Sequence, residues 1–174
     1  GLQIISVSNM AVPTRMATYN TPGEAIGVFV SGNYAYLVDD ESTSDFYIFN
    51  ISNAALPTRV GSFVVGGWPS DLTVSGNYAY VAGATPGVQI FNISNAALPT
   101  LVGTYGHTEG YDIEVSGNYT YLAAWGSVLI FDTSNLASPT RVATYNTNAA
   151  IGLFVTGSYV YVGDRAYGLQ LFNA

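Results

Sequence analysis

The sequence predicts an all-β chain. Three observations carry that reading: two sequence markers recur with a common period of about 40 residues, the segments between turns alternate apolar and polar residues, and β-branched and aromatic residues fill those segments. Nowhere does helical spacing of apolar residues persist beyond a turn.

The first marker is Ser/Thr-Gly-Asn/Ser-Tyr, with its glycine at Gly32, Gly76, Gly117 and Gly157. The second is a Ser-Asn block leading to Pro-Thr, with its proline at Pro13, Pro57, Pro99 and Pro139. Within one unit, Asp71 to Ser75 alternates, Gly76-Asn77 turns, and Tyr78 to Ala82 alternates again, which is a hairpin signature and puts a positive φ at each marker glycine. Val88 to Ile93 forms a third strand, the Ser94 to Pro99 segment turns, and Leu101 to Tyr105 forms a fourth. Four-stranded units of this length are the blades of a β-propeller. The whole chain, 1–174, reads as one such domain with repeat junctions near 25, 69, 110 and 150.

Lettered outward from the channel, the chain opens on a third strand (2–8) and a fourth (14–19). It runs through three full blades and ends on a third strand (168–173). This is four blade equivalents with one surplus third strand, whose two copies both begin Gly-Leu-Gln, at Gly1 and at Gly168. A closed four-bladed ring, half of an eight-bladed ring built from two chains, and a fragment of a longer array all fit this count. Terminal strands left unpaired are templates for another chain, so a homo-oligomer or polymer formed through them is the expected assembly. On the inner strands, Val28, Val30, Leu72, Val74, Ile113, Val115, Leu153 and Val155 are expected to be buried between blades, with Phe29, Thr73, Glu114 and Phe154 facing the other way.

The wording of the units, Val-Ser-Gly-Asn-Tyr-Ala-Tyr-Val-Ala (74–82), Gly-Val-Gln-Ile-Phe-Asn-Ile-Ser-Asn (87–95) and Leu-Pro-Thr-Leu-Val-Gly (98–103), resembles the LVIVD-repeat family of propeller proteins. The family usually carries Asp where Asn50 and Asn92 stand, kept here at Asp132, and Pro near Ala54 and Ala96. The resemblance implies a propeller, commonly on an exported or cell-surface protein, with no assigned chemistry. An extracellular or cell-surface location and a structural role follow as expectations, and the start at Gly1 reads as that of a mature or excised piece.

Charge narrows the partners. Four Arg, no Lys and eleven Asp plus Glu give a net charge of −7, so the chain has no basic patch for a phosphate backbone, and nucleic acid is excluded as a partner. No apolar run reaches the ~20 residues of a spanning helix. Without Cys, disulfides, thiolate nucleophiles and Cys metal sites are excluded.

In a propeller, the loops from fourth to next first strand and from second to third strand share one rim. Glu24, Asp71, Glu109, Asp112, Asp39, Asp40, Glu41, Asp45 and Asp164 fall there; Arg15, Arg59 and Arg141 fall on the opposite rim, and Arg165 joins the acids. Aromatics outside the strand pattern, Trp68, Tyr111, Trp125 and Tyr167, share the acidic rim with the single histidine, His107. Indole and phenol rings beside carboxylates suit sugar rings, so Trp68, Asp71, His107, Glu109, Tyr111, Asp112, Trp125 and Tyr167 are the candidate site for a glycan or protein ligand. The alternative function is accordingly a binding module using that rim. Asp39, Asp40, Glu41 and Asp45 form the densest oxygen-ligand cluster and are the candidate ligands of a hard cation such as Ca²⁺, though without the central Gly of an EF-hand loop. Asn50, Asn92 and Asn118 stand in Asn-x-Ser/Thr sequons, candidate glycosylation acceptors. One histidine without a surrounding motif does not make a triad, and the acid pair Asp71 and Asp112 has Gly27 and Gly152 at its equivalents in the other repeats. A non-enzymatic protein is expected.

Overall fold

A computed structural model of the protein describes residues 1–40, 45–106 and 109–173. Seventeen strands are present and no helix is found among the described residues. β1 (Leu2–Ser6) and β2 (Thr14–Tyr19) form a two-stranded sheet. Three four-stranded antiparallel meanders follow: β3 (Ala25–Ser31), β4 (Tyr34–Asp39), β5 (Asp45–Asn50) and β6 (Thr58–Val64); β7 (Pro69–Ser75), β8 (Tyr78–Gly83), β9 (Val88–Asn92) and β10 (Thr100–Tyr105); β11 (Gly110–Ser116), β12 (Tyr119–Ala124), β13 (Ser127–Asp132) and β14 (Thr140–Asn146). A three-stranded sheet, β15 (Ala150–Thr156), β16 (Tyr159–Asp164) and β17 (Gly168–Asn173), completes the chain.

Local chemistry explains each meander. Ser75 pairs with Tyr78, leaving Gly76-Asn77 as a two-residue turn. Gly76 takes φ 56°, and Gly32, Gly117 and Gly157 lie within a few degrees of it, at 55°, 59° and 57°. Such turns match the right-handed strand twist and exclude a Cβ cheaply only at glycine. The turn carbonyl is then used: Asn77 O accepts from Ile93 N at 2.9 Å, as Asn33 O does from Ile51 and Asn118 O from Thr133, tying the hairpin to the end of the third strand. The Ser-Asn blocks turn because Asn53, Asn95 and Asn135 accept from the backbone two residues on, at 3.1 to 3.2 Å.

The sheets stack through their faces, with the first strands β3, β7, β11 and β15 adjoining in order. Tyr36, Val38, Phe46 and Ile48 of one sheet bury against Leu72, Ala79 and Val81 of the next, and the rings of Phe46 and Phe91 stack across that boundary at 5.5 Å. Similar clusters join the second sheet to the third around Ile90, Ile113 and Leu122, and the third to the last around Tyr121, Val128 and Val160. At the other end Leu2 and Ile4 pack on Ala35 and Leu37.

The expected inner-strand burial holds in part, and only where a sheet precedes: Val74, Val115 and Val155 are half-buried against their clusters. Leu72, Ile113 and Leu153 are buried, whereas Val28 and Val30 are each 58% exposed. Val28 pairs with Leu37, so it faces the N-terminal side, where β1 and β2 occupy the positions of a third and fourth strand and no first strand covers it. Glu114 pairs with Tyr121 and is half-buried on the face toward the last sheet; burial first, and the Asp112 charge second, push its carboxyl above the usual range.

Two glycine classes are separable by mutation. Gly103 lies where an added Cβ would overlap the Leu136 carbonyl of the next sheet, while a Cβ on Gly76 meets nothing. Gly103→Ala should cost about 1–3 kcal/mol by overpacking, and Gly76→Ala about 1–2 kcal/mol through its left-handed backbone alone. Urea unfolding midpoints measure both. Equal stability of Gly76→Ala and the parent would show that the turn does not need its positive φ.

Candidate functional site

One irregularity, repeated four times, builds the acidic rim. Each first strand carries a register shift near its start: between Ala25 and Gly27, Pro69 and Asp71, Gly110 and Asp112, and Ala150 and Gly152. The extra residues are Ile26, Ser70, Tyr111 and Ile151. A bulge re-aims the side chain it inserts, and all four of these residues line a single cleft of about 390 Å³. Trp68, Glu109 and Arg165 line it as well.

Trp68 precedes β7 after Gly66 and Gly67, both at positive φ. A Cβ on Gly67 would overlap the Thr85 carbonyl, so glycine lets this loop close on its neighbour and present the indole, which is 72% exposed. Tyr111 donates its hydroxyl to Glu109; burial, then the Glu109 charge and this bond, raise its phenol above the usual value, with Arg165 opposing. The Trp125 ring lies beside Tyr111 at 6.2 Å between centroids, outside the cleft lining. Tyr167 is exposed on the loop after β16. His107 falls outside the described residues.

Below the bulges, Asp71 and Asp112 latch neighbouring first strands. Asp71 Oδ2 accepts from Ile113 N at 3.1 Å, and Asp112 Oδ2 accepts from Leu153 N at 2.6 Å. The pattern runs in one direction, each acid reaching the backbone of the following sheet. The two carboxyls also hydrogen-bond to each other. Burial, then the bond to Asp112 and its charge, push Asp71 up to about 7, against the opposing pull of the Ile113 and Leu72 amides. Gly27 and Gly152 hold the equivalent places. A Cβ at Gly27 would lie 3.3 Å from Asp71 Oδ1.

The cation candidates separate. Asp39 is buried and its oxygens accept from Gly23 N at 3.1 Å and Asp45 N at 3.2 Å. Asp164, at the same place in the last sheet, is likewise buried and accepts from Asn148, Ala149, Ala166 and Tyr167 amides at 2.7 to 3.1 Å. Burial works against its ionised form, but these four amides outweigh it and hold Asp164 below the usual carboxylate range. Both aspartates therefore staple the loops of the acidic rim. Asp45 accepts from the Tyr47 hydroxyl at 2.9 Å, Asp40 donates its amide to Glu24 O, and Glu41 lies outside the described residues. Among the described residues no group of three potential ligands surrounds a common metal position. Of the sequon residues, Asn118 is exposed in a hairpin turn, while Asn50 and Asn92 each accept from the amide two residues on, at 2.9 Å.

Sequence reasoning found the aromatics and Glu109 but not Ile26, Ser70 or Ile151. A bulge leaves no mark in an alternating pattern beyond one residue out of phase, and at Ile26, Tyr111 and Ile151 it falls beside a glycine that hides it.

These features define an all-β repeat protein made of stacked antiparallel sheets. The LVIVD repeat family matches residues 1–21, 22–65, 66–107, 109–147 and 149–171, and the chain belongs to that family. No curated protein matches the chain. Among solved structures, a protein from Lactobacillus plantarum is 15% identical with a TM-score of 0.85, over 98% of this chain and 60% of its own. A functionally unknown protein from Desulfotomaculum acetoxidans is 15% identical with a TM-score of 0.80, over 97% and 57%. The computationally designed Ika4 protein is 10% identical with a TM-score of 0.73, over 90% and 95%. The chain thus spans about three fifths of the two natural relatives and nearly all of Ika4, and at these identities the likeness concerns the fold alone.

The Asp71 carboxyl should leave a pH signature. Its folded value near 7 stands above the unfolded value of 3.8, so the folded chain holds a proton that the unfolded chain has released. Stability should fall as pH rises from about 4 to about 7 and level off above it. Asp71→Asn keeps an acceptor for Ile113 N and should flatten that slope. Thermal midpoints taken across the interval measure it; an unchanged slope in the variant would place the titrating group elsewhere.

Proposed function

We propose that this chain is a non-catalytic β-propeller module that assembles with copies of itself, at a cell surface or outside the cell. The carrying observation is that its two ends present the two halves of an interface it already uses three times inside. At the N-terminal end an apolar groove of about 460 Å³ runs between β1 and β3, walled by Leu2, Ile4, Val28, Val30, Ala35 and Leu37. The four β3–β4 residues are the repeat equivalents of Leu72, Val74, Ala79 and Val81, which internally receive the preceding sheet. At the C-terminal end, Phe154, Tyr161, Leu169 and Leu171 share the outer face of the last sheet and are the equivalents of Phe29, Tyr36, Phe46 and Ile48, which internally supply the matching face. Leu169 is 75% and Leu171 54% exposed.

β1 supplies an image of the docked state. Leu2 and Ile4 stand in its Gly-Leu-Gln strand where Leu169 and Leu171 stand in β17, and they already pack on Ala35 and Leu37. The last sheet of one copy entering the groove of another, with β17 taking the place of β1, repeats this packing and covers Val28 and Val30. Such a contact joins unlike surfaces, so it closes into a two-chain eight-bladed ring or runs on as a filament. A non-catalytic role is supported by what the acid pair does: Asp71 and Asp112 each accept from a backbone amide of the following sheet, which is structural work. The extracellular setting is supported by composition, with no Lys, no Cys and few charges.

Sedimentation of the 174-residue chain should give a mass at least twice that of the monomer. Val28→Asp blocks the groove and Leu171→Asp blocks the outer face; each alone should be a folded monomer by circular dichroism. Mixed, they retain one intact interface and should form a one-to-one dimer that does not grow. A monomeric parent chain, with its last sheet sealed into its own groove, would overturn the proposal.

A further inference from the structure

The cleft at the acidic rim is independent of the ends of the chain, and its lining is mixed in a specific way. Four bulges, one from each first strand, deliver Ile26, Ser70, Tyr111 and Ile151 to one mouth. Ser70 spends its hydroxyl proton on Gly110 O at 2.5 Å, so it offers only acceptor capacity to a ligand. Trp68 leaves a large apolar ring in water at the edge, where a monomer gains nothing from exposing it. Glu109 and Arg165 both face the same space, and both are exposed. Among the described residues, no carboxylate stands within ion-pair distance of Arg165.

Charge selects among ligands. An anion approaches a chain of net charge −7 and meets Glu109; a cation meets Arg165. A neutral polyol meets neither penalty, since a hydroxyl donates to the carboxylate while its neighbour accepts from the guanidinium, and charge-assisted bonds of this kind are the stronger ones. The C–H face of a pyranose covers an exposed indole, burying apolar surface that neither partner otherwise hides. The volume of about 390 Å³ lies within the range of small-molecule sites. We infer that the bulge-lined cleft binds a neutral saccharide, with Trp68 as the stacking surface and Glu109 and Arg165 as hydrogen-bonding groups to its hydroxyls.

The chain has two tryptophans, so Trp125→Phe leaves Trp68 as the sole indole reporter while keeping a ring beside Tyr111. Its emission is followed during titration with cellohexaose, chitohexaose, maltohexaose, mannohexaose and xylohexaose, with polygalacturonate as the charged control. At least one neutral oligosaccharide should quench and blue-shift the emission saturably, with a dissociation constant of about 1 mM or below. Arg165→Gln and Glu109→Gln, each at an exposed position, should weaken that binding about tenfold or more, and Trp68→Ala should abolish it by calorimetry. No response to any neutral probe up to about 10 mM overturns the inference. So does a response to polygalacturonate alone, or one that neither Arg165→Gln nor Glu109→Gln alters.

Discussion

Every sheet of this chain is apolar on both faces, and that constraint governs the rest. In β4, five consecutive residues from Ala35 to Asp39 are buried, with even-numbered side chains serving one boundary and odd-numbered ones the other. A single four-stranded meander of this kind cannot stand in water, because covering one face leaves the other wet. The chain answers by stacking, and each internal boundary reuses the same residue positions. The same requirement explains the ends, where Val28 and Leu171 occupy positions that are buried or half-buried in every internal copy but find no neighbour.

Polar groups near the first strands serve this stacking before they serve anything else. Asp71 and Asp112 each reach across a boundary to a backbone amide, so the cost of half-burying a carboxylate is offset by pairing a strand that the bulge has left irregular. Asp39 and Asp164 do the equivalent work between loops. An acid-rich rim therefore reads as a cation site only until its carboxylates are followed to their partners. Glu109 borders the cleft instead.

Stacking and the cleft use different parts of the same plan. Stacking is carried by side chains that alternate along strands, and its surfaces are flat and apolar. The cleft is carried by the residues that break the alternation, and its surface is mixed. A repeat protein can change the second without touching the first, since bulge residues as different as Ile26, Ser70 and Tyr111 sit on the same backbone.

What the sequence determined by itself is what short-range interactions control. Gly76-Asn77 sets a two-residue turn through its own φ angles, Asn95 closes its loop through a bond two residues on, and alternation assigns each side chain a face. These depend on neighbours within a few positions, and so does the period that counts seventeen strands. Tertiary structure alone decided that Asp71 and Asp112 touch, that four bulge residues converge on one mouth beside Trp68 and Arg165, and that Val28 is wet while Leu72 is dry. Residues 28 and 72 read alike in their repeats; their surroundings differ because burial belongs to the neighbouring sheet, about 40 residues away, and one of them has no such neighbour to cover it.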